Sequence, residues 1–456
     1  LLVEDLAFGE NNHMIMKKNL KTILVTAVLM LLAIAPVHPQ DKPNLSIIWF
    51  AWPPCDLLSS VAAEYPDATV TVTCVPIGEW RNQIFADFAA QGGADLPILD
   101  SQFMGEAVKG GFIENLTDVI TNDLPFDDYN QTALSAYAEV PVGSGAYYSV
   151  PVITDTRMMV YRKDLFENAD VMAAYKAATG SDLAVPTTWT ELLAIAEFFK
   201  SGDDIDAGYV SHWINDGDLV QTAFNHILWS FGGELWDSET YQIEGVLNSE
   251  GNVAALEFAQ KLFQTGPEGA AAFGFTEVVD AVCSGSTAMI EIWYGFGGAF
   301  TNAETCTNAD NLGFAVMPGE TEHFISLGGQ GISVSAFSEN KESALEFVKW
   351  LQSDETQIKW VQGGGFSGRI SILASEEFLS AAPYNPTFAE AFQYVKDFWN
   401  LPEYAAMLSV QGEYLNLAIS GQMDAKEALD EIAAEQQEII DEAYPDGPAA
   451  MATEAP

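Results

Sequence analysis

With 456 residues the chain is too long for one ordinary hydrophobic core, so two domains are expected. Its 18 basic residues face 65 acidic ones, a formal net charge of −47. Such a surface repels nucleic acid and anionic membranes and excludes both as partners; its plainest cause is a salty medium, where screening makes high charge tolerable.

Residues 1–15 read as an upstream read-through segment and 16–40 as a signal peptide. Lys17, Lys18 and Lys21 form a positive start, and Thr22 to Ala35 is an apolar run of 14 residues closed by Pro36. That run is short for a bilayer, and no cysteine stands where a lipid anchor would attach. Export to the periplasm through a cleaved signal is expected.

Leu45 to Ala51 (LSIIWFA) is nearly continuously apolar, as suits a strand covered on both faces. Thr69 to Val75 (TVTVTCV) is a second strand, rich in β-branched residues, and Leu96 to Leu99 a short third running into Asp100. Helix-like segments at Leu57 to Glu64 and Trp80 to Ala90 separate them, an alternation that implies an α/β lobe. Four cysteines, Cys55, Cys74, Cys283 and Cys306, allow three pairings. Proximity favours Cys55–Cys74 and Cys283–Cys306, each worth about 3 kcal/mol in the chain-entropy model. With no C-x-x-C and scattered histidines, metal ligation is the weaker reading.

Tyr147 to Thr156 is extended, with Pro151 disfavouring helix at Val150. The region after it is mostly helical. Thr188 and Glu191 form a capping box ahead of a stripe of Leu192, Ile195, Ala196 and Phe199, and Asn248 to Phe263 repeats the pattern. A strand is expected in "AMIEI". Phe324 to Ile370 then opens on an apolar segment broken by Gly328, Gly329 and Gly331. It continues into a helix with Ala344, Phe347, Val348 and Leu351 on one face, and Ser353 caps a second helix before Gly363 to Gly365.

In "GGQGISVSA", "KESALEFVKWLQSDETQIKW" and "GGGFSGRISIL" this last stretch resembles the family 1 extracellular solute-binding proteins, receptors that deliver ligands, usually sugars, to bacterial ABC importers. The resemblance extends to "YYSVPVITDTRMMVYRKDLF", similar to the family's segment between lobes, and "LGFAVMPG", similar to its return to the first lobe. It implies an α/β, two-lobed periplasmic-binding-protein fold with a hinge of two or three crossings and a ligand cleft between lobes. The expected division is 41–150 with 311–368 for the N-terminal lobe and 151–310 with 369–444 for the C-terminal lobe. Residues 445–456, rich in Pro and Ala, are expected to be a disordered tail.

Ligands of open α/β sheets bind beyond the carboxyl ends of strands. That rule selects Trp52, Asp100, Gln102, Asp155, Trp293, Tyr294 and Gln330, with Arg369 after the glycine run. Trp80, Trp213 and Trp399 are further aromatic candidates. Rings offer flat faces to a pyranose, and Asp, Gln and Arg offer hydroxyl partners. The resemblance supports Trp293 most. Each ring could equally be core, and each Asp a cap or turn.

The function expected is capture of a small solute, foremost a neutral mono- or oligosaccharide, by lobe closure and delivery to an inner-membrane permease, as a monomer with no cofactor and no metal. A polyamine receptor is the alternative, since acids and aromatics together suit one. An enzyme such as a carbohydrate-active hydrolase is disfavoured by the lack of G-x-S-x-G, H-E-x-x-H or a Cys–His arrangement.

Overall fold

The computed structural model describes residues 42–202 and 205–445; the upstream segment, the signal peptide and nearly all of the tail expected from sequence lie outside the described residues. Strand β1 (Asn44–Phe50) buries Leu45, Ile47, Ile48, Trp49 and Phe50, as its apolar run requires. It pairs in parallel with β2 (Thr69–Val75) and β3 (Leu96–Asp100), and helices Pro53–Ala62 and Ile77–Ala89 make the connections. This is one α/β half of the molecule.

The other half gathers β5 (Ala207–Val210), parallel to β6 (Thr287–Trp293), and β7 (Leu312–Val316). Two strands belong to both halves. β4 (Val150–Arg162) pairs antiparallel with β8 (Ile325–Ile332) over Val150 to Thr156, then with β6 and β7 from Arg157 onward. β8 in turn pairs with β3 through Gln330 to Ile332, and with the short β9 (Val395–Lys396) through Ile325 and Ser326. The sheet therefore runs β2-β1-β3-β8-β4-β6-β5, continuous through the join, with β7 and β9 branching from β4 and β8.

One sequence expectation moves. The resemblance makes "LGFAVMPG" the return to the first half, yet Leu312–Val316 pairs with Met158–Arg162, on the edge of β4 opposite β6. The return falls along β8, where glycines permit the approach. A Cβ on Gly329, whose φ is +112°, would lie 2.5 Å from the Ile153 carbonyl oxygen. One on Gly328 would lie 2.4 Å from the Trp293 ring.

Helix Trp189–Lys200 starts at the expected capping box, with Thr188 accepting from the Glu191 amide. Ser353 likewise caps Asp354–Gln362. Helices Leu219–Ser230, Glu250–Gln264 and Tyr404–Ile419 pack on one another, and Ala425–Ala443 lies along the last of them. Among the described residues no helix is long and apolar enough to cross a membrane.

Both cysteine pairs favoured by proximity are joined, Cys55–Cys74 and Cys283–Cys306. The first ties the start of helix Pro53–Ala62 to the end of β2. Replacing Cys283 and Cys306 by Ser opens a loop with a sequence separation of 23. The variant is expected to lose about 3 kcal/mol, read from urea midpoints in non-reducing buffer. An unchanged midpoint would show that the bridge adds nothing.

Candidate functional site

Where the two halves face each other, a cavity of about 350 Å³ opens at the carboxyl ends of β1, β3 and β6. β1 ends at Phe50, and Pro53 and Pro54 start the next helix, so Trp52 is held at the strand's mouth. Its ring stacks on Phe50 at 4.7 Å and meets Trp49 edge-on. Helix Ile77–Ala89 adds Trp80, Arg81 and Asn82 to the wall; β3 adds its last residue, Asp100, and helix Ser101–Lys109, which follows at once, adds Gln102 and Phe103.

The second half supplies Trp293 at the end of β6 and Phe296 just after it. It also supplies Phe275 at the start of helix Phe275–Cys283 and the run Asp216 to Leu219 before helix Leu219–Ser230. The join supplies Asp155 from β4 and Gly328, Gly329 and Gln330 from β8. Trp52 reaches Phe296 across the cavity, their ring centroids 6.4 Å apart.

Seven of the residues selected from sequence thus meet at one cavity: Trp52, Trp80, Asp100, Gln102, Asp155, Trp293 and Gln330. Four do not line it. Trp213 is buried and its carbonyl accepts from Asn416. Tyr294 is buried against Phe366, Tyr384 and Phe388, and Trp399 against Phe398 and Tyr404. Arg369 is buried and ion-paired to Asp128 at 2.8 Å and Asp354 at 2.7 Å. The rule about strand ends finds a position in the chain; it does not find the side of the strand end on which a ring points.

The cavity also holds residues the sequence reading missed, among them Phe50, Phe103, Asp216, Asp218, Phe275 and Phe296. Asp216 and Asp218 follow β5, whose four residues were too few to register as a strand. Phe296 lies three residues beyond the Trp293 already chosen.

Acid chemistry dominates the polar wall. Burial pushes the Asp155 carboxyl up to about 7, partly offset by amides of Thr156, Gly295 and Tyr294 and by the charge of Arg157. Gly295 donates to Asp155 at 3.1 Å, so this side chain of β4 is bonded to the turn that carries Phe296. Burial raises Asp100 as well, against a 2.9 Å hydrogen bond donated by Gln330. Asp218 is pushed up to about 7 by burial and then by the charge of Asp100.

Behind Trp293 lies a network with no exposure at all. The Arg157 guanidinium sits 4.6 Å from the Trp293 ring centroid and is ion-paired to Glu291. It also donates to Thr222 and to the Leu219 carbonyl of the helix that follows Asp218. Glu291 accepts from Tyr209 and lies 3.4 Å from His226 Nε2. Burial alone would raise the Glu291 carboxyl, but His226, Arg157 and Tyr209 outweigh it and hold it well below its usual range. His212, beside Arg157, is pushed down to about 3 by burial and by that guanidinium.

The profile of the bacterial extracellular solute-binding proteins matches residues 58–358. A mannitol-binding protein of Pseudomonas aeruginosa is 26% identical over 410 residues, covering 83% of this chain and 88% of that one. A probable amino-acid ABC transporter periplasmic-binding protein of Sinorhizobium fredii is 27% identical over 274 residues; the match takes in 59% of this chain and only 58% of that relative. In structure, a solute-binding protein of Agrobacterium radiobacter in complex with ribitol superposes with a TM-score of 0.75. It is 24% identical, covers 88% of this chain and all of its own, and the shared fold is the two-lobed one. These relatives are binding proteins. On the extent of the profile match and the shared two-lobed fold, the chain belongs to the bacterial extracellular solute-binding protein family.

Proposed function

We propose that this protein is the capture subunit of an ABC importer, taking a sugar or sugar alcohol into the cleft and handing it unchanged to a permease. The observation that carries this reading is the cavity itself. Rings from both halves, Trp52 and Trp80 on one side and Trp293 and Phe296 on the other, enclose a space whose polar edge is carboxylate and amide. Apolar ring faces suit the C–H faces of a sugar, and carboxylates accept its hydroxyl hydrogens. At about 350 Å³ the space lies near the lower end of ligand pockets, which favours a short solute over a long oligosaccharide. The names of the mannitol- and ribitol-binding relatives agree with that size.

The Sinorhizobium relative is named for amino-acid transport, a ligand that suits this wall less well. An amino acid's carboxylate would face Asp100, Asp155 and Asp218, while Arg81 is already ion-paired to Glu106. Closure follows from the shared strands: a solute touching both halves favours the closed state by its differential contacts. Residence in the periplasm as a monomer and docking on the permease are part of the same proposal.

Thermal-shift screening against sugars, alditols, amino acids, polyamines and sugar phosphates tests it, because a ligand adds RT ln(1 + [L]/Kd) to stability. Shifts from sugars or alditols are expected, and oligosaccharides incubated with the protein should be recovered intact. A response confined to amino acids, or cleaved sugar, would end the reading. Trp293→Ala is expected to weaken the best binder from this screen by about ten- to hundredfold in calorimetry. Undiminished affinity would remove Trp293 from the site.

A further inference from the structure

We propose that the captured solute carries a protonated amine beside its hydroxyls, as an amino sugar or amino alditol does. This rests on the receptor reading above and concerns only the charge of what is captured. The side-chain atoms that face the cavity are weighted toward acceptors. Asp100, Asp155 and Asp218 line it, with Asp216 exposed at its rim. Gln330 is 5% exposed; its amide is given to Asp100, and its Oε1 is buried with no protein partner.

Positive charge within reach is already committed. Arg81 is ion-paired to Glu106, and Arg157, whose field reaches Asp155 and Asp218, is ion-paired to Glu291 beneath Trp293. Asp100 and Asp218 repel each other, and Asp397, just behind, feels both. A wholly neutral polyol can donate hydroxyl hydrogens to these groups but leaves them either repelling one another or holding a proton at neutral pH. An ammonium group brings three donors and no acceptor, the complement of this wall, and it cancels one of the charges. The faces of Trp52, Phe50 and Phe296 add the attraction of ring quadrupoles for a cation. Among the described residues no group of acids is arranged to hold a metal ion, so the cation is read as organic. The hydroxyls are required as well. Asn82 and Gln102 line the same cavity with amide donors, and a polyamine offers them no oxygen to accept.

Matched pairs differing only in amine against hydroxyl supply the test: glucamine with glucitol, glucosamine with glucose, galactosamine with galactose. Each is titrated calorimetrically into the full chain at pH 7, with spermidine alongside. In at least one pair the amine is expected to bind about tenfold tighter than its twin. Asp218→Asn should shrink that preference severalfold while the hydroxyl twin changes less, and Asp100→Asn provides the same readout should the first variant fold poorly. Twins that bind as well as or better than their amines overturn this inference and leave the receptor reading intact. Silence from every amine, or binding of spermidine alone, also overturns it. If no sugar, alditol or amine binds in either screen, the receptor reading falls with it.

Discussion

Arg157→Met is expected to lower the free energy of unfolding by about 3–5 kcal/mol, because it strands a buried carboxylate. Glu291 has no exposure, and the guanidinium it would lose also bonds Thr222 and the Leu219 carbonyl. His226 and Tyr209 remain beside Glu291 and soften the loss without replacing the guanidinium charge. Removing both charges should behave differently. In Arg157→Met with Glu291→Leu, no unpaired charge is left inside, and most of the lost stability should return. Urea midpoints of the wild type, both single variants and the double variant measure the coupling. A single variant within about 1 kcal/mol of wild type, or a double no better than the worse single, would contradict this account.

The pH dependence of stability should carry the signature of Asp155. The side chain is 2% exposed, and burial places its carboxyl near 7 against 3.8 for the free group. Below pH 3.8 the folded and unfolded chains both hold the proton, so the full stability is present. As pH rises toward 7 the unfolded chain has released it while the folded one keeps it, and stability is lost, up to about 4 kcal/mol by the time both are ionised. The groups that set this value are the amides of Thr156, Gly295 and Tyr294 and the charge of Arg157. Tyr137, Tyr294 and Tyr384 in turn feel the charge of Asp155. Net charge of −47 also works against the folded state as pH rises, so the comparison must be between proteins at the same pH. Asp155→Asn is expected to be more stable than wild type at pH 8 and to lose more than half of that advantage at pH 5. Parallel denaturation curves with a constant difference between pH 5 and 8 would remove Asp155 as the source.

Much of this arrangement was legible in the chain because period and composition report burial. The run LSIIWFA is apolar at nearly every position, and β1 is indeed covered on both faces. Thr188 with Glu191 announced a helix start through the hydrogen bonds that such a pair must make. Direction was not legible. Trp52 and Trp80 line the cavity whereas Trp213 and Trp399 are core, yet nothing local separates them. What decides is the far partner: Phe50 under one ring, Tyr404 against another. Arg369, chosen as a rare cation near a crossing, is claimed by Asp128 and Asp354, contacts made only once distant segments meet. Four-residue β5 escaped notice, and with it Asp216 and Asp218.

The ladder through β4 and β8 has a consequence for anyone cutting the gene at the expected lobe boundary near residue 150. A fragment stopping there leaves β3 without Gln330 to Ile332, and the remainder leaves Val150 to Thr156 paired but the edge of β8 toward β3 bare. Each piece would present raw strand edge to solvent, the kind of surface that templates aggregation. Neither is expected to stay soluble by itself, whereas the two co-expressed fragments should reassemble by supplying each other's missing neighbours.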